Sequence, residues 1–215
     1  MQHKRTTNSE VHNAMTTATR DARLRIYFVG VGGQGTLTAT NLLARAALDA
    51  GIEAVGGEVH GMAQRGGVVE SALLLGGWRS PRVDYGEADV LLGFEPLETL
   101  RGLPYLREGG AVFSSSDPLA PLSVALGQSV YPGIERIRRE VDAVAAHAWF
   151  LPCRSLGREA GSVQSGGTAL LGAACASGLL PVSFDDLTAA IRTHLPAKIQ
   201  GVNLAAAELG RAALV

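Results

Sequence analysis

A three-layer α/β/α fold, with a mostly parallel sheet and a helical C-terminal part, is predicted by two observations. Short apolar runs alternate with helical patterns through the first half of the chain, and two of them, Ile26–Val29 and Val90–Leu92, are apolar without a break. Unbroken apolar strands are those buried on both faces, which happens when helices cover both sides of a parallel sheet. Beyond residue 130 the apolar residues recur mainly at helical spacing.

Taken in order, Arg25–Val29 reads as the first strand, followed by a helix from about Gln34 to Ala50 in which Ala39, Leu42, Leu43 and Ala46 fall on one face. Gly51 suits the position just past its end. Glu53–Val59 is a second strand, Val68–Leu75 a third apolar run, and Gly76–Pro81 a turn. Asp89–Phe94 is a buried strand, Pro96 starts a helix where proline is tolerated, and Ala111–Ser114 is a further strand. Ile134, Ile137, Val141 and Val144 make an apolar stripe, with Glu135, Arg136, Arg138, Arg139 and Glu140 as its solvated side. After a short strand at Ala148–Leu151 come three helices, Ser165–Ala176, Phe184–Leu195 and Val202–Leu214. The small residues Gly166, Gly167, Gly172, Ala173 and Ala174 point to close backbone packing and to no chemistry. This order is that of a Rossmann-like domain, expected as a single unit over residues 24–215. Met1–Arg23 precede it as a polar tail too poor in apolar residues to fold alone, with Met15 an alternative start.

Composition excludes several classes. The net charge is −1, so no basic surface recommends a nucleic-acid partner. The N-terminal residues lack the apolar stretch of a signal peptide, and Thr168–Ala176 is too short to span a bilayer. Cys153 and Cys175 are isolated, so the chain offers neither an iron–sulfur cluster site nor a thiolate zinc site, and a reduced, cytoplasmic setting is the simplest reading. No metal site and no catalytic triad can be read.

Two glycine-rich loops carry the chemistry: Gly30-Val31-Gly32-Gly33-Gln34-Gly35-Thr36 and His60-Gly61-Met62-Ala63-Gln64-Arg65-Gly66-Gly67. The first follows a strand and opens a helix, where glycine allows a tight turn and lets helix N-terminal amides approach an anion. The second sets Gln64 and Arg65 beside adjacent glycines, a planar amide and a fixed cation suited to phosphate or carboxylate. His60 is either a loop residue bonded to backbone or a participant in chemistry. Glu58, ending the second strand, is either a ribose-binding acid of the dinucleotide type or a packing or interface residue.

Together with Gly86-Glu87-Ala88-Asp89-Val90-Leu91-Leu92-Gly93-Phe94-Glu95-Pro96-Leu97-Glu98, these loops make the chain resemble the γ components of the 2-oxoacid:ferredoxin oxidoreductases, indolepyruvate-type members in particular, from about Arg25 to Arg211. Met62–Gly67 is the specific part. The segment Gly161-Ser162-Val163-Gln164-Ser165-Gly166-Gly167-Thr168 departs from the asparagine-containing stretch usual there, so phenylglyoxylate or an arylpyruvate fits as well as indolepyruvate. The resemblance implies a non-catalytic subunit that contributes to coenzyme A binding through Gly32, Gly33, Gln34, Gly35, Thr36, His60, Gln64, Arg65, Gly66 and Gly67. Thiamine diphosphate, magnesium and iron–sulfur clusters then sit on partner subunits, which pass electrons to ferredoxin or another acceptor. Two other classes compete: a free-standing NAD(P)-dependent enzyme using Gly30, Gly32, Gly35 and Glu58, and a scaffold whose glycine loops are only structural.

Overall fold

The computed structural model describes residues 22–59, 67–121, 124, 126–128 and 130–214. Met1–Asp21 of the polar tail, and His60, Gln64, Arg65 and Gly66 of the second loop, lie outside them.

Six strands form one sheet in the order β2-β3-β1-β4-β5-β6: β1 (Leu24–Val31), β2 (Ala54–Val59), β3 (Val68–Leu75), β4 (Ala88–Gly93), β5 (Leu106–Ser115) and β6 (His147–Leu151). Strands β1, β4, β5 and β6 are mutually parallel, as the alternation predicts. Strand β3 differs: it lies antiparallel between β1 and β2. The cause is chain length, because a parallel crossover needs a dozen or more residues and the segment between Val59 and Val68 is shorter than that.

Side chains of β1 alternate between two buried faces, and Ile26, Tyr27, Phe28 and Val29 are all sequestered from solvent. Ile26, Phe28, Leu73 and Phe113 pack against α1 (Thr36–Asp49), α5 (Gly166–Ala176) and α6 (Phe184–His194). On the other face Tyr27, Val29, Leu91 and Val112 pack with Leu100 of α2 (Pro96–Gly102) and with Ile137 and Val141 of α3 (Ile134–Asp142). Helix α7 (Ala197–Ala212) lies against α5, and a Cβ at Gly172 or Gly210 would overlap the carbonyl of Ala207 or Ala169 respectively, so the two backbones touch.

Three helices depart from their predicted form, and β5 starts five residues earlier than expected. Helix α4 (Cys153–Ala160) is not anticipated, because its two turns carry few apolar residues beyond Cys153 and Leu156. Helix α7 begins at Ala197 instead of Val202: Pro196 caps it, and Gly201, a weak helix former, falls inside it with open space around its α-carbon. Helix α3 stops at Asp142, leaving Val144 exposed, and Arg138 is not simply solvated but lies over the Phe150 ring at 4.5 Å.

Candidate functional site

From the neighbouring parallel strands β1 and β4 the chain departs in opposite directions, towards β2 on one side and β5 and β6 on the other. A crevice opens at the carboxyl ends of two such strands, and the first glycine loop sits in it. Gly30 is where the strand must pass closest to its neighbours: a Cβ there would lie 2.6 Å from Thr36 Oγ1 and 3.0 Å from Phe94 Cβ. Gln34 folds over the turn, its amide N–H donating to Val31 O at 3.1 Å and its side-chain oxygen accepting from Val31 N at 2.8 Å. Gly33 (φ 96°) and Gly35 (φ 80°) take left-handed conformations, and each faces open space. Gly35 caps α1 without any side-chain acceptor, so the first-turn amides of that helix have no cap. Thr36 turns inward, its buried hydroxyl without a partner among the described residues.

Strand β2 points the same way as β1, since both are antiparallel to β3. The second loop therefore leaves the sheet at the same edge, and its last residue joins the first loop, with Gly32 N–H donating to Gly67 O at 2.9 Å. Glu58 sits two strands from β1 because β3 intervenes, or about 10 Å at ordinary strand spacing. A dinucleotide fold needs that acid on the strand beside β1, which removes the physical basis for its ribose-binding reading.

The sequence tied residues 161–168 only to the choice of 2-oxoacid and read Gly166 and Gly167 as packing residues, yet this segment closes the opposite side of the first loop. Gly167 lets α5 approach: a Cβ would come within 2.9 Å of the Phe94 ring and 3.5 Å of Gln34 O. Two cavities flank this contact. One, of about 340 Å³, lies between Gly33, Gly35 and Thr38 on one side and Gln164, Ile199 and Asn203 on the other. The second, of about 210 Å³, is bounded by Gln34, Phe94, Cys153, Arg154 and Gln164. A usable signal existed, because Gly161–Thr168 repeats the glycine, glutamine and threonine composition of the first loop. Burial pushes the Cys153 thiol up to about 12, so it borders the cavity as an inert wall.

The Phe94–Glu98 segment is structural. Glu95 is buried and fully used, accepting from Glu98 N at 2.9 Å, from Leu119 N at 3.0 Å and from the Tyr131 hydroxyl. Pro96 starts α2 at its first turn, as predicted. Burial raises the Glu98 carboxyl above its ordinary range, Arg101 at 2.7 Å opposes this, and the Glu95 carboxylate adds to it. A raised carboxyl stabilises the fold most when protonated, and that contribution fades as pH rises past the ordinary 4.5. Glu98→Gln, which mimics the protonated form, is therefore expected to melt at or above the wild type near neutral pH. The difference should close as pH falls towards 4.5; a neutral-pH loss in differential scanning calorimetry would show the Arg101 pair to dominate.

Among the described residues no three His, Cys, Asp or Glu side chains are placed to hold a metal, and no helix is long and apolar enough to cross a membrane.

This is the fold of a known family. Residues 25–213 match the pyruvate ferredoxin/flavodoxin oxidoreductase family, and the chain belongs to it, as a subunit of a 2-oxoacid oxidoreductase complex. It is 42% identical over 188 residues to the indolepyruvate oxidoreductase subunit IorB of Pyrococcus horikoshii, covering 86% of this chain and 93% of the relative. It is 36% identical to the subunit of the same name from Archaeoglobus fulgidus, covering 87% and 94%. In fold it is similar to the γ subunit of a keto/oxoacid ferredoxin oxidoreductase from Geobacter sulfurreducens, with a TM-score of 0.64 at 22% identity, covering 89% and 98%. It is also similar to the 2-oxoglutarate:ferredoxin oxidoreductase of Magnetococcus marinus with 2-oxoglutarate, coenzyme A and succinyl-CoA bound, with a TM-score of 0.66 at 20% identity. There it covers 89% of this chain and 31% of that one.

Proposed function

We propose that this subunit contributes coenzyme A binding and assembly to a complex that oxidatively decarboxylates an aromatic 2-oxoacid to its acyl-CoA in the cytoplasm. Residues 24–215 act as one domain in this reading. Thiamine diphosphate, magnesium and the iron–sulfur clusters belong to partner subunits, and electrons leave to ferredoxin or another acceptor through them. The chain's own part is to bind and orient: Gly32–Thr36 and the His60–Gly67 loop, with Gln64 and Arg65, face the phosphates or pantetheine.

The observation that carries this reading is the meeting of the two loops at one sheet edge, Gly32 bonded to Gly67 beside the uncapped end of α1. Backbone donors gathered there suit an anionic ligand. An aromatic substrate is supported by relatives named for indolepyruvate. A free-standing NAD(P) enzyme fits less well, since β3 stands between β1 and the strand bearing Glu58.

Arg65→Ala in the intact complex tests the assignment. An arginine making charge-assisted bonds to phosphate contributes on the order of 1.5–3 kcal/mol, so the apparent requirement for coenzyme A is expected to rise roughly ten- to a hundredfold. Half-reaction decarboxylation precedes acyl transfer and reports on assembly, so it is expected to survive. Loss of decarboxylation with unchanged coenzyme A dependence would move the loop to the thiamine site or to assembly.

A further inference from the structure

Far from the glycine loops, β6 forms one edge of the sheet, and among the described residues no further strand pairs with its outer side. An open edge is a row of main-chain donors and acceptors, which proteins usually protect with lysine, proline or a bulge. Strand β6 has none of these. Its residues are His147-Ala148-Trp149-Phe150-Leu151, its register with β5 runs without a shift, and only Leu151 is buried while the other four are half-buried. The whole stretch from Ala143 to Cys153 contains no Asp, Glu, Lys or Arg. The opposite edge differs, because β2 carries two adjacent glycines, which weaken a strand, and the acid Glu58.

The side chains of this edge are held in place on both faces of the sheet. On one face Trp149 stacks on Phe113 with ring centroids 4.6 Å apart and planes at 11°, and His147 stacks on Trp149 at 5.8 Å. On the other, Arg138 of α3 lies over Phe150. With the rings fixed above and below, β6 presents an ordered main chain between two half-covered aromatic surfaces. Such an edge is suited to receive another strand, with backbone hydrogen bonds supplying the affinity.

We propose that the outer edge of β6 pairs antiparallel with β6 of a second copy of this chain, joining two sheets into one. Charge selects this occupant. A partner recognised by charge would need charges to meet, and residues 143–153 offer none. The flanking helix α3 sets Glu135, Glu140 and Asp142 against Arg136, Arg138 and Arg139, so a two-fold axis beside it brings together no surplus of either sign. An uncharged edge with a balanced flank is complementary to itself, as an interface between identical copies must be. Antiparallel pairing about an axis normal to the sheet keeps each face on its own side, so Trp149 lies beside Trp149 of the second copy, and cross-strand aromatic pairs stabilise a sheet. The carboxyl edges of the two sheets then point in opposite directions. Each first glycine loop stays open on its own rim, whatever ligand it binds.

Sedimentation of the full chain is expected to give the mass of two chains. Trp149→Lys sets like charges against each other across the axis and should halve that mass, as should Trp149→Glu. Mixing the two variants in equal amounts should restore the double mass, because lysine then faces glutamate, a recovery that only a second copy in this register provides. Thermal melting checks that both variants are folded, since Trp149 also packs on Phe113. If they are not, His147→Pro replaces them: proline is tolerated at the first position of a strand but cannot donate to a new neighbour, so this variant should also sediment as one chain. In the intact complex, the amides of residues 147–151 should be protected from hydrogen exchange in the wild type and released in the variants. A wild-type chain that sediments singly, variants that keep the double mass, or a mixture that stays single would each overturn the pairing. Protection of β6 in a complex holding one copy of this chain would give the edge to a different subunit, and the second copy would again be wrong.

Discussion

Gly210→Ala is expected to lower the melting temperature by roughly 6–12 °C, a loss of about 3 kcal/mol for a domain of this size. A methyl group at this position would overlap the carbonyl of Ala169, and that obstacle is main chain, which cannot rotate away. Overpacking a close-packed contact costs typically 1–3 kcal/mol, and the upper end applies because α5 and α7 must separate as bodies. Helix propensity works the other way, since alanine is favoured over glycine by up to about 1 kcal/mol in a helix interior. A control on the same helix isolates the steric part: Gly201 has nothing within contact range, so Gly201→Ala should stabilise slightly. Opposite signs for the two substitutions are the expected result, and equal effects would show that α7 does not lie against α5 as described.

Gly35→Val is expected to remove productive coenzyme A use altogether at concentrations that saturate the wild type. Two costs combine. At φ 80° a β-branched residue is strained by about 1–3 kcal/mol, so the turn into α1 shifts or loosens. The space facing Gly35 is empty and borders the larger cavity, so the new isopropyl group projects into it beside the uncapped amides. Filling that space should be felt more by a bound nucleotide than by the fold. A melting temperature lowered by roughly 2–12 °C, the loss this strain implies for a domain of this size, combined with lost coenzyme A saturation in a complex that still assembles, is the expected pattern. Full saturation at the ordinary concentration would mean that no ligand approaches the backbone of this loop.

The parts of the fold legible in the sequence are those set by local spacing. Strand β1, helix α1 with Gly51 after it, Pro96 at the start of α2, and helix α6 all follow from a few neighbouring residues. What escaped depended on partners distant in sequence. The direction of β3 is decided by the shortness of its connection to β2 together with which strands accept it, so Val68–Leu75 reads only as an apolar run. Helix α4 owes its formation to burial of Cys153 and Gly157 against the segment around Gly166, a contact invisible in its own eight residues. The same holds for the site. The first loop announced itself through glycine spacing, whereas Gln164, Arg154 and Asn203 join it only because α4, α5 and α7 return to the same sheet edge.

The antiparallel entry of β3 also bears on how proteins of this shape diversify. Strands β2 and β3 pair on one ladder, where Val59 stands opposite Glu70, so the two ends of the connection between them are fixed by strand pairing whatever joins them. Lengthening a connection whose ends are already held side by side costs little, about 0.6 kcal/mol for each doubling. Insertions, deletions and substitutions in this connection can thus accumulate with small loss of stability. Selection for new acids or new subunit pairings has a cheap place to act there, with the sheet beneath it left as it is.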